Sequence, residues 1–162
     1  MKTLYLLRHA KSSRKDESLP DFERPLNRRG KQATEKIGRY LRKELIVPEL
    51  ILSSPAVRAR ETIERVSKAA KWKVEVRYDQ RIYEAGGLRL LEVVSQLEND
   101  RKTALLVGHN PGLEEFLLLL TGEMQRLPTA ALVRLEIKSS KWANAADKRA
   151  RLVWRVKPRE LP

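Results

Sequence analysis

Thr3-Leu4-Tyr5-Leu6-Leu7 is a short apolar run without helical period, and it ends on the pair Arg8-His9. A run of that kind is expected to form a buried strand. The arrangement recurs as Thr103-Ala104-Leu105-Leu106-Val107, which closes on Gly108-His109. Around these two runs, strand-like and helix-like patterns alternate. The polar stretch Lys11–Pro25 reads as a loop. Asn27 is a good N-cap, and Ala33, Ile37, Tyr40 and Leu41 keep helical spacing, which predicts an amphipathic helix to Leu45. Leu50-Ile51-Leu52 predicts a second buried strand, and Ser53-Ser54-Pro55 a cap and first turn for a helix to about Ala70. Lys73–Tyr78 alternates as a strand and Leu88–Leu97 has a helical pattern. Asn110-Pro111 repeats the cap-and-proline start before a helix over Gly112–Leu120. Ala131–Ile137 and Leu152–Val156 alternate as strands around a lysine-rich turn, the pattern of a hairpin against which Trp142 and Trp154 are expected to pack.

This succession predicts an α/β sandwich with a mostly parallel sheet, the last strands adding an antiparallel edge. With 162 residues, of which 41% are hydrophobic, one domain over residues 1–162 is expected. The chain has no cysteine, which excludes disulfides, thiolate metal sites and a cysteine nucleophile. Two histidines are too few for a His-rich metal cage. The apolar run at the N-terminus stops at Arg8, too short for a signal peptide, and no stretch approaches a membrane span. A soluble cytoplasmic protein is expected. The net charge of +13 favours an anionic partner without saying which.

Both histidines fall at the carboxyl end of a predicted buried strand, where open α/β sheets bind their ligands. If those strands are parallel neighbours, His9 and His109 face each other across one crevice. Arg58 lies in the first turn of the helix that opens at the same sheet edge, and helix N-termini and guanidiniums both favour phosphate. Arg60 cannot share its face. Two arginines, Arg8 and Arg58, two imidazoles and no acidic cluster suit a phosphate held without a metal. One imidazole is then free to attack phosphorus, the arginines disfavouring its charged form, and water resolves the phosphohistidine.

The ordered set Arg8-His9-Ala10-Lys11-Ser12, Glu23-Arg24-Pro25-Leu26-Asn27-Arg28-Arg29-Gly30, Leu52-Ser53-Ser54-Pro55 with Arg58-Ala59, Tyr83-Glu84-Ala85 and Val107-Gly108-His109-Asn110-Pro111-Gly112 resembles the histidine phosphatase superfamily, also called phosphoglycerate mutase-like. More closely it resembles the SixA-type phosphohistidine phosphatases. The resemblance implies a three-layer α/β/α sandwich around a mostly parallel sheet. It implies His9 as the phosphorylated nucleophile, Arg8, Arg58 and His109 as the rest of the phosphate pocket, and no metal or organic cofactor. It places Glu84 where many members keep the proton donor for the leaving group, an ordinary loop glutamate being the alternative. Ala10 stands where glycine is usual and would be strained if that position needed positive φ.

Ser12 is a further candidate donor to phosphate, with a turn-stabilising role as the plainer account. Arg24 is a candidate for the substrate entrance, a salt bridge with a nearby acid being the plainer account. The expected partner is a phosphorylated protein or a small phosphomonoester such as a sugar phosphate or nucleotide. Short loops around the crevice favour the protein side chain. Membrane is not expected. A non-catalytic polyanion- or RNA-binding module is the alternative of a different class. It rests on charge alone, since aromatic residues total 6% and no RNA-binding motif is present.

Overall fold

The computed structural model describes residues 1–147 and 149–162. Its strands are β1 (Lys2–Arg8), β2 (Leu50–Ser53), β3 (Val76–Tyr78), β4 (Thr103–Gly108), β5 (Leu132–Ile137) and β6 (Arg151–Val156). They form one sheet in the order β3-β2-β4-β1-β5-β6. The first four run parallel, and β5 and β6 add the antiparallel edge. The helices are α1 (Arg28–Lys43), α2 (Val57–Ala70), α3 (Gly87–Ser95) and α4 (Gly112–Thr121). This is the α/β sandwich that the sequence predicts.

Side chains alternate across a strand, so each central strand feeds two cores. Leu4, Leu6, Leu52, Ala104 and Leu106 meet Leu90, Val94, Phe116 and Leu117 of α3 and α4. Tyr5, Leu7, Ile51, Leu105 and Val107 meet Ile37, Leu41, Ile63 and Val66 of α1 and α2. Helices on both faces explain why β1, β2 and β4 are continuous apolar runs. Trp142 is fully buried in the α3/α4 core, its Nε1–H donating to Arg101 O. Trp154 on β6 packs against Tyr5 and Tyr40. Among the described residues, no helix is long and apolar enough to cross a membrane.

Three boundaries differ from expectation. β3 begins at Val76 rather than Lys73, because β2 offers it only the three partners Ile51, Leu52 and Ser53. α2 begins at Val57 with Ala56 at the N-cap, and no serine side chain caps it. Pro55 holds Ser54 away from helical backbone, and the Ser54 hydroxyl is used elsewhere. Asn110 does not cap α4; its side chain instead donates to Glu114 Oε2 and Leu127 O. At the N-terminus of α1, Asn27 does act as the cap, accepting the Gly30 N–H at 2.8 Å.

Two glycines allow close approach near the sheet's carboxyl edge. A Cβ at Gly30 would overlap Lys11 O, and one at Gly112 would overlap Ala85 O. The loop after β1 therefore seats on α1, and the turn before α3 seats on α4.

Candidate active site

β1 and β4 are parallel neighbours in register, Arg8 opposite Gly108, so His9 and His109 leave the sheet side by side. The His9 N–H donates to Gly108 O at 3.1 Å. The imidazole centroids lie 5.1 Å apart with the rings tilted by 51°. Both rings are buried. His9 Nδ1 lies 2.7 Å from Ala10 O. A carbonyl only accepts, so Nδ1 carries the proton and Nε2 keeps its lone pair.

The chain after His9 is tied to the helix that presents Arg58. Ala10 N–H donates to Thr62 Oγ1 at 2.9 Å, and the Thr62 hydroxyl donates to Arg58 O at 2.7 Å. Ala10 is fully buried in the α1/α2 core, and its φ is not positive. Alanine is therefore unstrained where glycine is usual.

His109 Nε2 is 2.7 Å from Ser54 Oγ. That oxygen also accepts the Ala56 N–H at 3.2 Å, and it keeps both a proton and a lone pair for Nε2. Among the described residues, His109 Nδ1 is buried without a protein partner. The two rings thus differ in setting: His9 Nδ1 is bonded to a carbonyl, whereas His109 is bonded through Nε2 to a hydroxyl. The tip of β2 holds this arrangement in place through Ser54, which makes the Ser53-Ser54-Pro55 segment more than a helix start.

Arg58 sits in the first turn of α2, almost wholly buried. Its Nη1 donates to the Asp21 main-chain oxygen at 2.7 Å and its Nη2 to Asp21 Oδ2 at 3.0 Å. Asp21 also accepts from Arg24 Nε at 3.1 Å and from the Tyr83 hydroxyl at 2.8 Å. Tyr83 stands edge-on to His109, with centroids 5.6 Å apart, and to Phe22 at 5.0 Å. Arg8 Nη1 donates to Leu127 O at 3.0 Å. Arg60, on the other face of α2, lies over the Tyr78 ring at 4.0 Å.

Among the described residues, Arg8 Nε, Arg24 Nη1, Arg58 Nε and His109 Nδ1 are buried nitrogens without a protein partner. Each such donor costs about 1–3 kcal/mol unless it is hydrogen-bonded. The three guanidinium nitrogens, joined by His109 Nδ1 when it carries the imidazole proton, are suited to the oxygens of a tetrahedral anion.

The electrostatics agree with that chemistry. Burial, reinforced by the charges of Arg58 and Arg8, pushes His9 down to about 3 against the Ala10 hydrogen bond. Burial and the charges of Arg58, Arg8 and Arg24 push His109 down to about 4, with Asp21 opposing them. Burial acts upward on Asp21, but hydrogen bonds from Tyr83 and Arg58 hold it down at about 2. Tyr83 is pushed up to about 12 by burial and by the Asp21 carboxylate. At neutral pH the crevice holds two neutral imidazoles among guanidiniums. A neutral imidazole lone pair in that setting can attack phosphorus, because the cations neutralise the oxyanions that would repel it.

The structure brings His9, His109, Arg8 and Arg58 together. Glu84 is exposed on the turn beside Tyr83, with a left-handed φ of 56°. Among the described residues, no hydrogen bond ties it to either imidazole. Ser12 pairs through its main chain with Leu26 as an isolated antiparallel bridge. Arg24 makes the salt bridge that the plainer account expects, and its partner is Asp21. The sequence reading missed Asp21, Tyr83 and Ser54. An aspartate beside an aromatic residue in a loop of mixed charge was the available signal for the first.

The chain matches the histidine phosphatase superfamily (branch 1) over residues 4–89. It is 32% identical over 151 residues to an uncharacterized chloroplast protein of Arabidopsis thaliana, covering 88% of this chain and 69% of that protein. An uncharacterized protein of Mycobacterium leprae is 30% identical over 160 residues, 91% of this chain and 96% of its own length. A crystal structure from Agrobacterium tumefaciens, provisionally named phosphohistidine phosphatase SixA, superposes with a TM-score of 0.84 at 29% identity, over 97% of this chain and 98% of that one. A similarly named structure from Nakamurella multipartitia gives 0.86 at 25% identity, over 97% and 96%. The chain belongs to the histidine phosphatase superfamily and is a hydrolase of its reaction type.

Proposed function

We propose that all 162 residues form one metal-independent phosphohistidine phosphatase domain that works through a covalent intermediate on His9. The observation that carries the reading is the imidazole pair 5.1 Å apart, with a lone pair on His9, a buried unpartnered Nδ1 on His109, and Arg8, Arg24 and Arg58 around them. Support for the substrate comes from the similarity, along nearly the whole chain, to structures named SixA. Membership of an enzyme family sets aside the non-catalytic polyanion-binding module.

A phosphorylated histidine enters phosphoryl group first. Arg8, Arg58 and His109 Nδ1–H bind the phosphoryl oxygens, with Arg24 beside them and the Ser12 hydroxyl as an outer donor. His9 Nε2 attacks phosphorus; the new P–N bond forms as the substrate P–N bond breaks. The departing ring nitrogen takes a proton, for which Glu84 is the assigned donor. Water then attacks phosphorus on His9 and gives its proton to the Glu84 carboxylate, the P–N bond breaks with its electron pair returning to Nε2, and inorganic phosphate leaves with the water's oxygen. The Ala10 carbonyl holds the Nδ1 proton throughout, so the same nitrogen of His9 remains the nucleophile. Charge stabilisation falls to guanidiniums.

The test compares a phosphohistidine-bearing protein, a sugar phosphate, a nucleotide and an aryl phosphate in the presence of EDTA. A kcat/KM highest for phosphohistidine and unaffected by EDTA is expected. Preference for a small ester would assign the small-molecule activity instead, and loss in EDTA would overturn the metal-free reading.

A further inference from the structure

Beside the imidazole crevice runs a groove of about 800 Å³; sixteen of the described residues line it, eight of them lysine or arginine. Arg8 belongs to both. Lys11, Arg29 and Lys36 come from the β1 loop and α1, whereas Arg126, Arg155 and Arg159 come from the segment after α4 and from the C-terminal strand and its tail. The cations converge from separate parts of the chain, so a local run of basic sequence does not account for them. Among the described lining residues the one carboxylate, Glu114, is engaged internally: its Oε2 accepts from Asn110 Nδ2 at 3.0 Å and from the Leu127 N–H at 2.8 Å. Among the described residues, none of the eight cations forms an ion pair. The acids pair with arginines elsewhere, as Glu98 does with Arg77, Asp79 with Arg81 and Glu136 with Arg151. Unpaired like charges gathered in one concave surface repel each other, and an anionic occupant relieves that repulsion.

We propose that this groove binds an acidic polypeptide segment flanking the phosphorylated residue of the substrate. The proposal rests on the phosphohistidine phosphatase reading and names the partner's chemistry. Two observations favour polypeptide over nucleic acid. Among the described residues, no aromatic ring lines the groove, so bases have no surface on which to stack. Ala33, Leu127, Pro128 and Pro158 interleave with the cations, which suits a segment mixing carboxylates with apolar side chains. Because Arg8 borders both sites, a substrate whose phosphoryl group lies at His9 has its neighbouring residues at the groove.

Two measurements test this on the full-length protein and on the triple variant Lys36→Glu, Arg126→Glu, Arg159→Glu, each checked for folding by circular dichroism. In the first, a fluorescein-labelled peptide of alternating glutamate and leucine is titrated alongside a single-stranded oligonucleotide and inorganic polyphosphate. The peptide is expected to bind, to weaken with salt, and to lose about tenfold or more in affinity in the variant. No binding, or equal binding by the variant, overturns the proposal. So does tighter binding of the oligonucleotide or polyphosphate than of the peptide. In the second, phosphohistidine peptides with acidic and neutral flanks are hydrolysed. Acidic flanks are expected to raise kcat/KM about tenfold in the native protein but not in the variant. Indifference to the flanks overturns the proposal. If neither phosphohistidine peptide is a substrate while small esters are, the functional reading fails and, with no phosphoprotein substrate to dock, the proposal falls with it.

Discussion

Acidification probes the crevice without any substrate, because the chain has only two histidines and both are in it. Burial and the neighbouring arginines push His9 to about 3 and His109 to about 4. An unperturbed imidazole titrates at about 6.5, so at pH 5 it would be about 97% protonated, while His9 would be about 1% protonated. In protein labelled with 13C at histidine, the two Cε1–Hε1 signals should hold neutral-imidazole positions from pH 8 to pH 5. A thermodynamic consequence accompanies this. Both folded values lie below the unfolded one, so the unfolded chain binds the extra protons in the window between them. The stabilisation is complete above about 6.5 and is lost as pH falls toward the folded values. At about 1.4 kcal/mol per pH unit for each group, the pair accounts for roughly 3–4 kcal/mol between pH 7 and pH 5. Urea unfolding at the two pH values should show a loss of that order. A histidine signal with a midpoint near 6.5, together with a urea midpoint indifferent to pH, would refute the electrostatic account.

Other perturbations test single residues. Arg58→Lys keeps the charge but loses the fork that serves both Asp21 and an anion, so kcat should fall about 10²-fold or more on any phosphorylated substrate. Asp21→Asn removes the charged partner shared by Arg58, Arg24 and Tyr83. It should lower the His109 pKa further, since Asp21 opposes the arginines there, and raise KM more than it lowers kcat; an unchanged His109 titration would remove Asp21 from the site's electrostatics. Glu84→Gln should slow an alkyl phosphate by about 10²-fold or more, but phosphohistidine much less, because imidazole leaves more readily than alkoxide. Equal effects on the two substrates would deny Glu84 the donor role.

The parts of the fold that were legible in the sequence are those where one local pattern has one physical cause. β1, β2 and β4 are buried on both faces, so their apolar runs announce them. His9 and His109 were legible because strand ends place them, and the register of β1 on β4 does the rest. Helix starts misled where the capping residue is used by the site: Ser54 serves His109, and Asn110 binds Glu114 and Leu127. Asp21 was hidden because its partners Arg58 and Tyr83 are 37 and 62 residues away and its loop has no periodicity. The basic groove was hidden for the same reason. Net charge announced the cations, but only the packing of α1 near the C-terminal tail gathers them.

The central claim is that the Nε2 of His9 takes the phosphoryl group. Rapid quenching of the enzyme with a 32P-labelled substrate, followed by peptide mapping, tests it most directly. The account predicts one acid-labile, base-stable label on His9, absent from His9→Ala. Label on His109 or on a hydroxyl side chain, or full turnover by His9→Ala, would contradict it.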